Sequence, residues 1–400
     1  MSERTILHVD CNSFFASVEM KLNPQYRNVP MAVCGSAEDR HGIVLAKNEE
    51  AKSYGIVTAE TITSARRKCP HLVIAEPHYE EYEKHSRAVK RIFERYTEQI
   101  ESFGIDESWL DVTGSFKLFG TGEEIAKRIR REVKEEIGIT VSIGVSFNKV
   151  FAKLGSDYKK PDAITVISRE NYKDIVYPLA VESMLFIGKK TTQTLNAYGI
   201  YTIGDLAAQS EEFLVRRFGK IGHMMHTYAT GMDTSPVAPQ SGEQKSVSNG
   251  FTFRYDLVGF AACSRAINRL CEEIGAKLRK TKTKCTGVTL KMKDVFLKTY
   301  TKQIKLDNPT DITDCISRAA VSILPQLWEE NKPVRTITVS VYGLIDSSAT
   351  TEQMSFFDTS ETEEKNSRRD QTLDMIREKF GEGAIVPLSL LMDDTGLGKT

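Results

Sequence analysis

The chain has 400 residues, its 54 Lys and Arg balance 54 Asp and Glu, and 40% of it is hydrophobic; this is the composition of a soluble globular protein of roughly two to four domains. No run of about 18 apolar residues occurs and the N-terminus enters directly into strand-like alternation, which argues against a membrane span or secretory signal and leads to an expected cytoplasmic location. Seven scattered cysteines without any C-x-x-C spacing argue against a disulfide framework or a zinc knuckle and read as reduced thiols.

Thr5 to Asp10 alternates as a strand and NSFFASVEMKL follows as a helix, so Asp10 stands where the strand ends. MAVCG and GIVLAKN, then EEAKSYG and TITSARRKC, form a small α+β insertion. YEEYEKHSRAVKRIFERYTEQI is amphipathic, with Tyr82, Val89, Ile92, Phe93 and Tyr96 at helical spacing. IESFGIDESWLDV reads as two strands around a tight connection, TGEEIAKRIRREVKEEIG as a charged helix ended by Gly138, and ITVSIGVSF as a buried strand. This order predicts a ferredoxin-like α+β sheet with helices on one face.

From about Arg169 to Asp233 the pattern turns to short helices. Gly188 and Lys189 stand at a helix start, as in a helix-hairpin-helix whose N–H groups hold a phosphate; ordinary turn chemistry is the alternative. DTSPVAPQSGEQKS has the composition of an interdomain linker. Beyond it, NGFTFRY, a helix over about 260–280, CTGVTLKMK, FLKTYTKQIKL, a helix over about 312–329 and VRTITVSVYGL make a second α+β unit. Lys291 and Lys293 share one strand face, as do Lys298, Tyr300 and Lys302. Such rows suit a phosphate backbone, or an edge strand kept soluble by lysine. From Glu243 to Arg335 there are 17 Lys and Arg against 10 Asp and Glu, whereas Asp346 to Thr400 has 6 against 12. A basic module therefore precedes an acidic tail, the asymmetry of a polyanion binder.

The chemistry rests on Asp10 and the Asp106-Glu107 pair. The first strand and the central hairpin of such a sheet are neighbours, so the three acids can converge, although an acidic pair in a turn reads equally as solvated surface. Clustered carboxylates call for cations, and Mg²⁺ takes carboxylate and phosphate oxygens. Two ions about 4 Å apart suit an in-line phosphoryl displacement.

In order along the chain, HVDCNSFFASVE, NEEAKSYGI, GIDESWLD and GVSFNKVFAKLGSDYKKPDAITVI resemble the Y-family translesion DNA polymerases, of the bacterial DNA polymerase IV type. The likeness covers roughly residues 4–345. It implies a multidomain α+β protein: a ferredoxin-like palm at 1–20 and 78–167, small fingers at 21–77 and a helix-hairpin-helix thumb at 168–235. A linker at 236–243, an α+β little finger at 244–345 and a tail at 346–400 complete the expected order. It implies DNA-templated addition of deoxynucleotides to a primer end with two Mg²⁺ ions, held by Asp10, Asp106, Glu107 and the Cys11 carbonyl. Phe15 falls on the steric gate that excludes a ribose 2′-OH, with Phe14 beside it under the nucleotide; ordinary helix packing is the alternative for both. Lys160 matches a lysine that meets the triphosphate. The resemblance is imperfect at the fingers: Glu49 and Lys52 stand where many members carry tyrosine and arginine, which leaves Lys52 as a point-charge triphosphate contact. Gly104 replaces a frequent serine and is expected to loosen its turn. Asp111 reads as structural. In the tail, EQMSFFD resembles a sliding-clamp docking peptide, with Gln353, Met354, Phe356 and Phe357 as anchors; a local contact is the alternative. Primer-template DNA, deoxynucleoside triphosphate and the clamp are the implied partners of a monomer.

Overall fold

A computed structural model describes residues 4–35, 42–238, 244–347, 360–381 and 384–385. The chain forms two compact units, the first comprising the described residues up to 238 and the second those from 244 onward.

In the first unit, β1 (Ile6–Cys11) leads into α1 (Phe14–Leu22). A small sheet of β2 (Met31–Cys34), β3 (Val44–Lys47) and β4 (Val73–Ala75) follows, in the order β3-β2-β4, with α2 (Glu49–Ser53) and α3 (Ile62–Lys68). It closes its own core around Val44, Ile56 and Leu72. Then come α4 (Tyr79–Phe93), β5 (Ile100–Ser102), β6 (Glu107–Asp111), the short α5 (Phe116–Phe119), α6 (Gly122–Glu132), β7 (Val141–Ser146), α7 (Lys149–Tyr158) and β8 (Ile164–Ile167). A capping box between Thr121 and Glu124 starts α6, satisfying backbone N–H groups that a helix end leaves open. The main sheet has the order β5-β6-β1-β7-β8 and is antiparallel except for β7 beside β8.

Alternation along β1 sorts its side chains between two packed faces. Leu7 and Val9 meet Val89, Ile92 and Phe93 of α4 and Ile125 and Ile129 of α6 in the largest core of this unit. Each such burial stabilises by roughly 1.5–3 kcal/mol. Ile6 turns the other way, toward Trp109 and Ala152 of α7. Helices thus cover both faces, which corrects the expected single helical layer. The close approach of α7 depends on Gly144, because a Cβ there would run into the Ala152 carbonyl. Loss of a side chain at that point leaves no mark in hydrophobic periodicity.

Five helices continue the first unit: α8 (Tyr172–Val176), α9 (Lys189–Ala197), α10 (Ile203–Ala207), α11 (Glu211–Phe218) and α12 (Lys220–Ala229). They share a core of Leu195, Ile203, Leu206, Leu214 and Met225. The segment that follows has linker composition, yet its first part is packed: Val237 is buried beside Ile6 and Trp109, and the Ala238 N–H donates to Glu101 at 3.1 Å.

The second unit has β9 (Ser246–Leu257), α13 (Phe260–Lys280), β10 (Thr283–Asp294), β11 (Thr299–Thr310), α14 (Thr313–Leu327), β12 (Val334–Tyr342) and a two-residue β13 (Ile345–Asp346). Its sheet has the order β11-β10-β12-β9, and α13 and α14 bury one face against Val288, Leu290, Met292, Ile337 and Val339. The acidic tail includes α15 (Ser360–Phe380), which is anchored rather than solvated throughout. Arg279 forks onto Asp374 at 2.5 and 3.0 Å and reaches the buried Asp370 at 3.2 Å, while the Thr313 N–H donates to Asp370 at 2.8 Å. A bidentate guanidinium of this kind is a directional contact that a lysine would not reproduce. No helix of the described residues is long and apolar enough to cross a membrane.

Candidate active site

Strand register assembles the acids. Asp10 lies directly opposite Glu107 across the β1–β6 pair, and the Cys11 N–H donates to the Asp106 carbonyl at 3.0 Å. The end of β1 is held from the other side as well. Asn12 donates through its side chain to Thr140 at 3.1 Å and accepts from Ser142 at 2.8 Å, and its carbonyl accepts from Ser17 at 2.7 Å. The elbow from strand to helix that carries Asp10 and the Cys11 carbonyl is therefore pinned before any ligand arrives.

The turn carrying Asp106 is pinned too. Ser86 of α4 donates to the Ile105 carbonyl and Lys90 to that of Gly104 at 3.3 Å. Two carbonyls of the turn that Gly104 is expected to loosen are thus held by α4. A Cβ at Gly104 would sit 3.4 Å from Asp106 Oδ1, an ordinary contact, so a serine would fit there.

Cations from α7 and the residues after it meet the acids. Lys153 Nζ lies 2.6 Å from Glu107 Oε2, 3.8 Å from Asp10 Oδ2 and 3.5 Å from Asp157. Lys160 Nζ bridges Asp10 at 2.8 Å and Asp157 at 2.7 Å. The acids respond differently. Burial raises the Asp10 carboxyl above its ordinary value, with Lys160 pulling against it. Burial also raises Asp106, and there the charges of Asp10 and Glu107 add to the effect. Burial pushes Glu107 upward as well, but contacts from His8 and Lys153 outweigh it and bring Glu107 down to about 2. Asp106 has no ion pair among the described residues, so its charge is the least compensated of the three. Among the described residues no group of His, Cys, Asp or Glu is already gathered closely enough to hold a metal ion. Even so, three half-buried carboxylates with one lacking a counter-ion form a hard oxygen donor set that suits Mg²⁺.

Phe14 is buried in the main core at 3% exposure, whereas Phe15 is only half-buried. The Phe15 ring stacks on Tyr82 at 4.1 Å with 12° between the planes. Tyr82 in turn donates to Glu19 at 2.5 Å, and His78 lies 2.9 Å from the same buried carboxylate. Asp111 stands apart from the acid cluster: it accepts from the Thr113 N–H at 3.0 Å and pairs with Arg4 at 3.4 Å.

Other expected residues are not gathered here. Lys52 is exposed on α2, and its ammonium meets Glu49 at 3.4 Å, not the three acids. Gly188 caps α9 with open space around it, and Lys189 is exposed beside it. In the second unit Leu290 faces Lys302 and Met292 faces Tyr300, while Lys291 faces Thr301 and Lys293 faces Thr299. Residues opposite one another share a sheet face. Lys302 is therefore on the helix-covered side of β11, and Lys291 and Lys293 are on the open side with Thr338, Thr336 and Gly250. Lys302 and the Lys291–Lys293 pair thus point to opposite sides, a relation set by the pairing register between strands and not by spacing along either one. Lys298 precedes β11, with its ammonium 5.2 Å from the Tyr300 ring centre. Gln353, Met354, Phe356 and Phe357 lie outside the described residues.

His8, Lys153 and Asp157 were not anticipated. For the latter two a signal existed: Lys153, Asp157 and Lys160 recur at i, i+4 and i+7, the spacing of a helix face, although α7 itself ends at Tyr158. His8 gave none beyond its place two residues before Asp10.

Residues 9–157 match the impB/mucB/samB family and residues 244–356 match its C-terminal domain. The chain is 45% identical to the DNA polymerase IV of Acetivibrio thermocellus, over 99% of this chain and 100% of that one. It is 35% identical to the DNA polymerase IV of Clostridium acetobutylicum, over 97% and 98% of the two chains. Among solved structures, a Y-family DNA polymerase chimera superposes with a TM-score of 0.76 at 25% identity, covering 86% of this chain and 99% of that one.

Proposed function

The chain belongs to the impB/mucB/samB family and has the architecture of a Y-family DNA polymerase, and from that premise we infer that it is a DNA-directed DNA polymerase of the translesion type. Asp10, Asp106, Glu107 and the Cys11 carbonyl would hold two Mg²⁺ ions. Bound there, such ions neutralise phosphate charge and stabilise the attacking and leaving oxygens of an in-line displacement. The observation that carries this reading is the register placing Asp10 opposite Glu107, with Asp106 tied to Cys11.

The chain's own residues position the reactants. Lys160, held between Asp10 and Asp157, exchanges a carboxylate partner for the incoming triphosphate. Phe15 closes against the sugar and excludes a 2′-OH, and its stack on Tyr82 resists displacement by a ribonucleotide. Phe14 supports it from the core, and Lys52 reaches the triphosphate from the fingers. Residues 1–20 and 78–167 act as palm, 21–77 as fingers, 168–235 as thumb and 244–345 as little finger, joined by the linker 236–243. Lys291 and Lys293, among the hydroxyl side chains of the open face, track the DNA backbone, with Lys298 and Lys302 flanking it from the β11 edge and Gly188 and Lys189 binding a phosphate in the thumb. In the 346–400 tail, Gln353, Met354, Phe356 and Phe357 dock a cytoplasmic monomer on the sliding clamp.

Primer extension tests this reading with deoxy- and ribonucleotides on wild type, Asp10→Ala and Phe15→Ala. Wild type should extend only with deoxynucleotides, Asp10→Ala should be inert, and Phe15→Ala should admit ribonucleotides. Undiminished extension by Asp10→Ala would overturn the site. A peptide of residues 350–360 that fails to retain the sliding clamp would remove that partner.

A further inference from the structure

Beneath Glu107 lies a polar group that the reaction described above does not use. His8 is fully buried on the α7 side of β1, edge-on to Trp109 at 5.1 Å. An apolar side chain would fill that space without the desolvation cost that a buried polar group carries when unpaired. Its Nδ1 lies 2.8 Å from Ser156 Oγ, and the same Oγ lies 2.8 Å from the Lys153 carbonyl. Nε2 lies 3.3 Å from Glu107 Oε2 but meets no partner in hydrogen-bond geometry.

A hydroxyl carries one proton, so Ser156 can donate to the Lys153 carbonyl or to His8 Nδ1, not to both. In the first case Nδ1–H donates to Ser156, and Nε2 turns a bare lone pair toward a carboxylate. In the second, Ser156 donates to Nδ1 and the neutral ring carries its proton on Nε2, 3.3 Å from Glu107 Oε2, where a small shift of the carboxylate would bring the two into hydrogen-bond geometry. The bond made by one ring nitrogen decides the role of the other. Lys153 already grips Oε2 at 2.6 Å, and no described residue donates to Oε1. A donor on Nε2 would complete a two-point hold on one carboxylate oxygen and leave the other for a ligand, as partners behind metal-binding carboxylates do elsewhere.

We propose that His8, set in its Nε2–H form by Ser156, is a positioning residue that orients Glu107 for the reaction. The proposal rests on the reading of Glu107 as a site acid. His8→Phe keeps the ring and its packing on Trp109 but removes the donor, and His8→Gln restores an N–H near the position of Nε2. His8→Phe should lower kcat in single-turnover extension about tenfold and weaken Mn²⁺ binding to the nucleotide-free enzyme severalfold, with KM for deoxynucleotide within twofold. His8→Gln should recover most of both losses. Nitrogen-15 NMR of labelled histidine, with the His8 signals assigned by their absence from His8→Gln, should show a neutral ring protonated on Nε2. A ring protonated on Nδ1 alone, or a His8→Phe enzyme with wild-type kcat and Mn²⁺ affinity, would overturn the proposal. Should His8→Phe fail to fold, the NMR measurement on wild type still decides. A wild type that extends no primer refutes the polymerase reading instead, so the two failures are told apart.

Discussion

The two large sheets handle charge in opposite ways. At the β1–β6 end of the first, three acids sit half-buried and each lysine or histidine meets a named oxygen within 4 Å, so small displacements change which charges are compensated. On the open face of the second, Lys291 and Lys293 stand among the hydroxyl side chains of Thr299, Thr301, Thr336 and Thr338. The first arrangement is selective about geometry and suits chemistry; the second is tolerant and suits a polyanion of any sequence. Buried charge acts through partners, and exposed charge acts through number.

The largest effect expected from this contrast comes from Asp106→Ala. It should cost about 10³-fold or more in the single-turnover extension rate, since the loss falls on the transition state. DNA affinity measured by fluorescence anisotropy should stay within about twofold, because the acid lies outside the proposed DNA-binding face. A matching loss of affinity would erase the distinction between the sheets. Next, Arg279→Ala removes one of two guanidinium partners of the buried Asp370, which keeps Arg369 and the Thr313 N–H, and should destabilise the second unit by about 2 kcal/mol. Urea unfolding would measure that loss, and limited proteolysis should show cleavage within α15 while the first unit keeps its protection.

Smaller effects are expected on the open face. Lys291→Ala with Lys293→Ala should weaken DNA binding at low salt and flatten the dependence of log affinity on log salt by about one unit per lysine. The rate at saturating DNA should not change. Lys302→Ala, on the other side of β11, should alter the slope less, and an equal change would show that the two faces are not distinguished by DNA. The smallest effect concerns the contact behind the Phe15 stack. Its hydrogen bond with Glu19 raises the pKa of His78 above 6.5. The stabilisation is therefore complete below the unfolded value and is lost as pH rises through the folded value. Thermal unfolding across pH 5.5–8.5 should show that decline in wild type and not in His78→Ala.

Much of this was legible in one dimension. Hydrophobic period marked β1, α4, α13 and the strands of the second unit, and motif order pointed to the three acids. Lysines could be sorted into rows along each strand, but not onto sheet faces, because a face depends on register between strands. Lys153 lay in a helix whose approach depends on an absent side chain at Gly144. His8 looked like any alternating strand residue.

Residue types at fixed spacing along single elements were determined by the sequence itself: the acids, the aromatic pair after Asp10, the lysines and the apolar stripes. Only the tertiary structure decided which of them meet. Asp10 and Glu107 are 97 positions apart in the chain but directly opposite in register, Lys153 reaches Glu107 across two elements, and α15 returns to Arg279. Pairing and packing act between segments, at distances set by backbone hydrogen bonds and close approach of helices, and no local pattern encodes those distances.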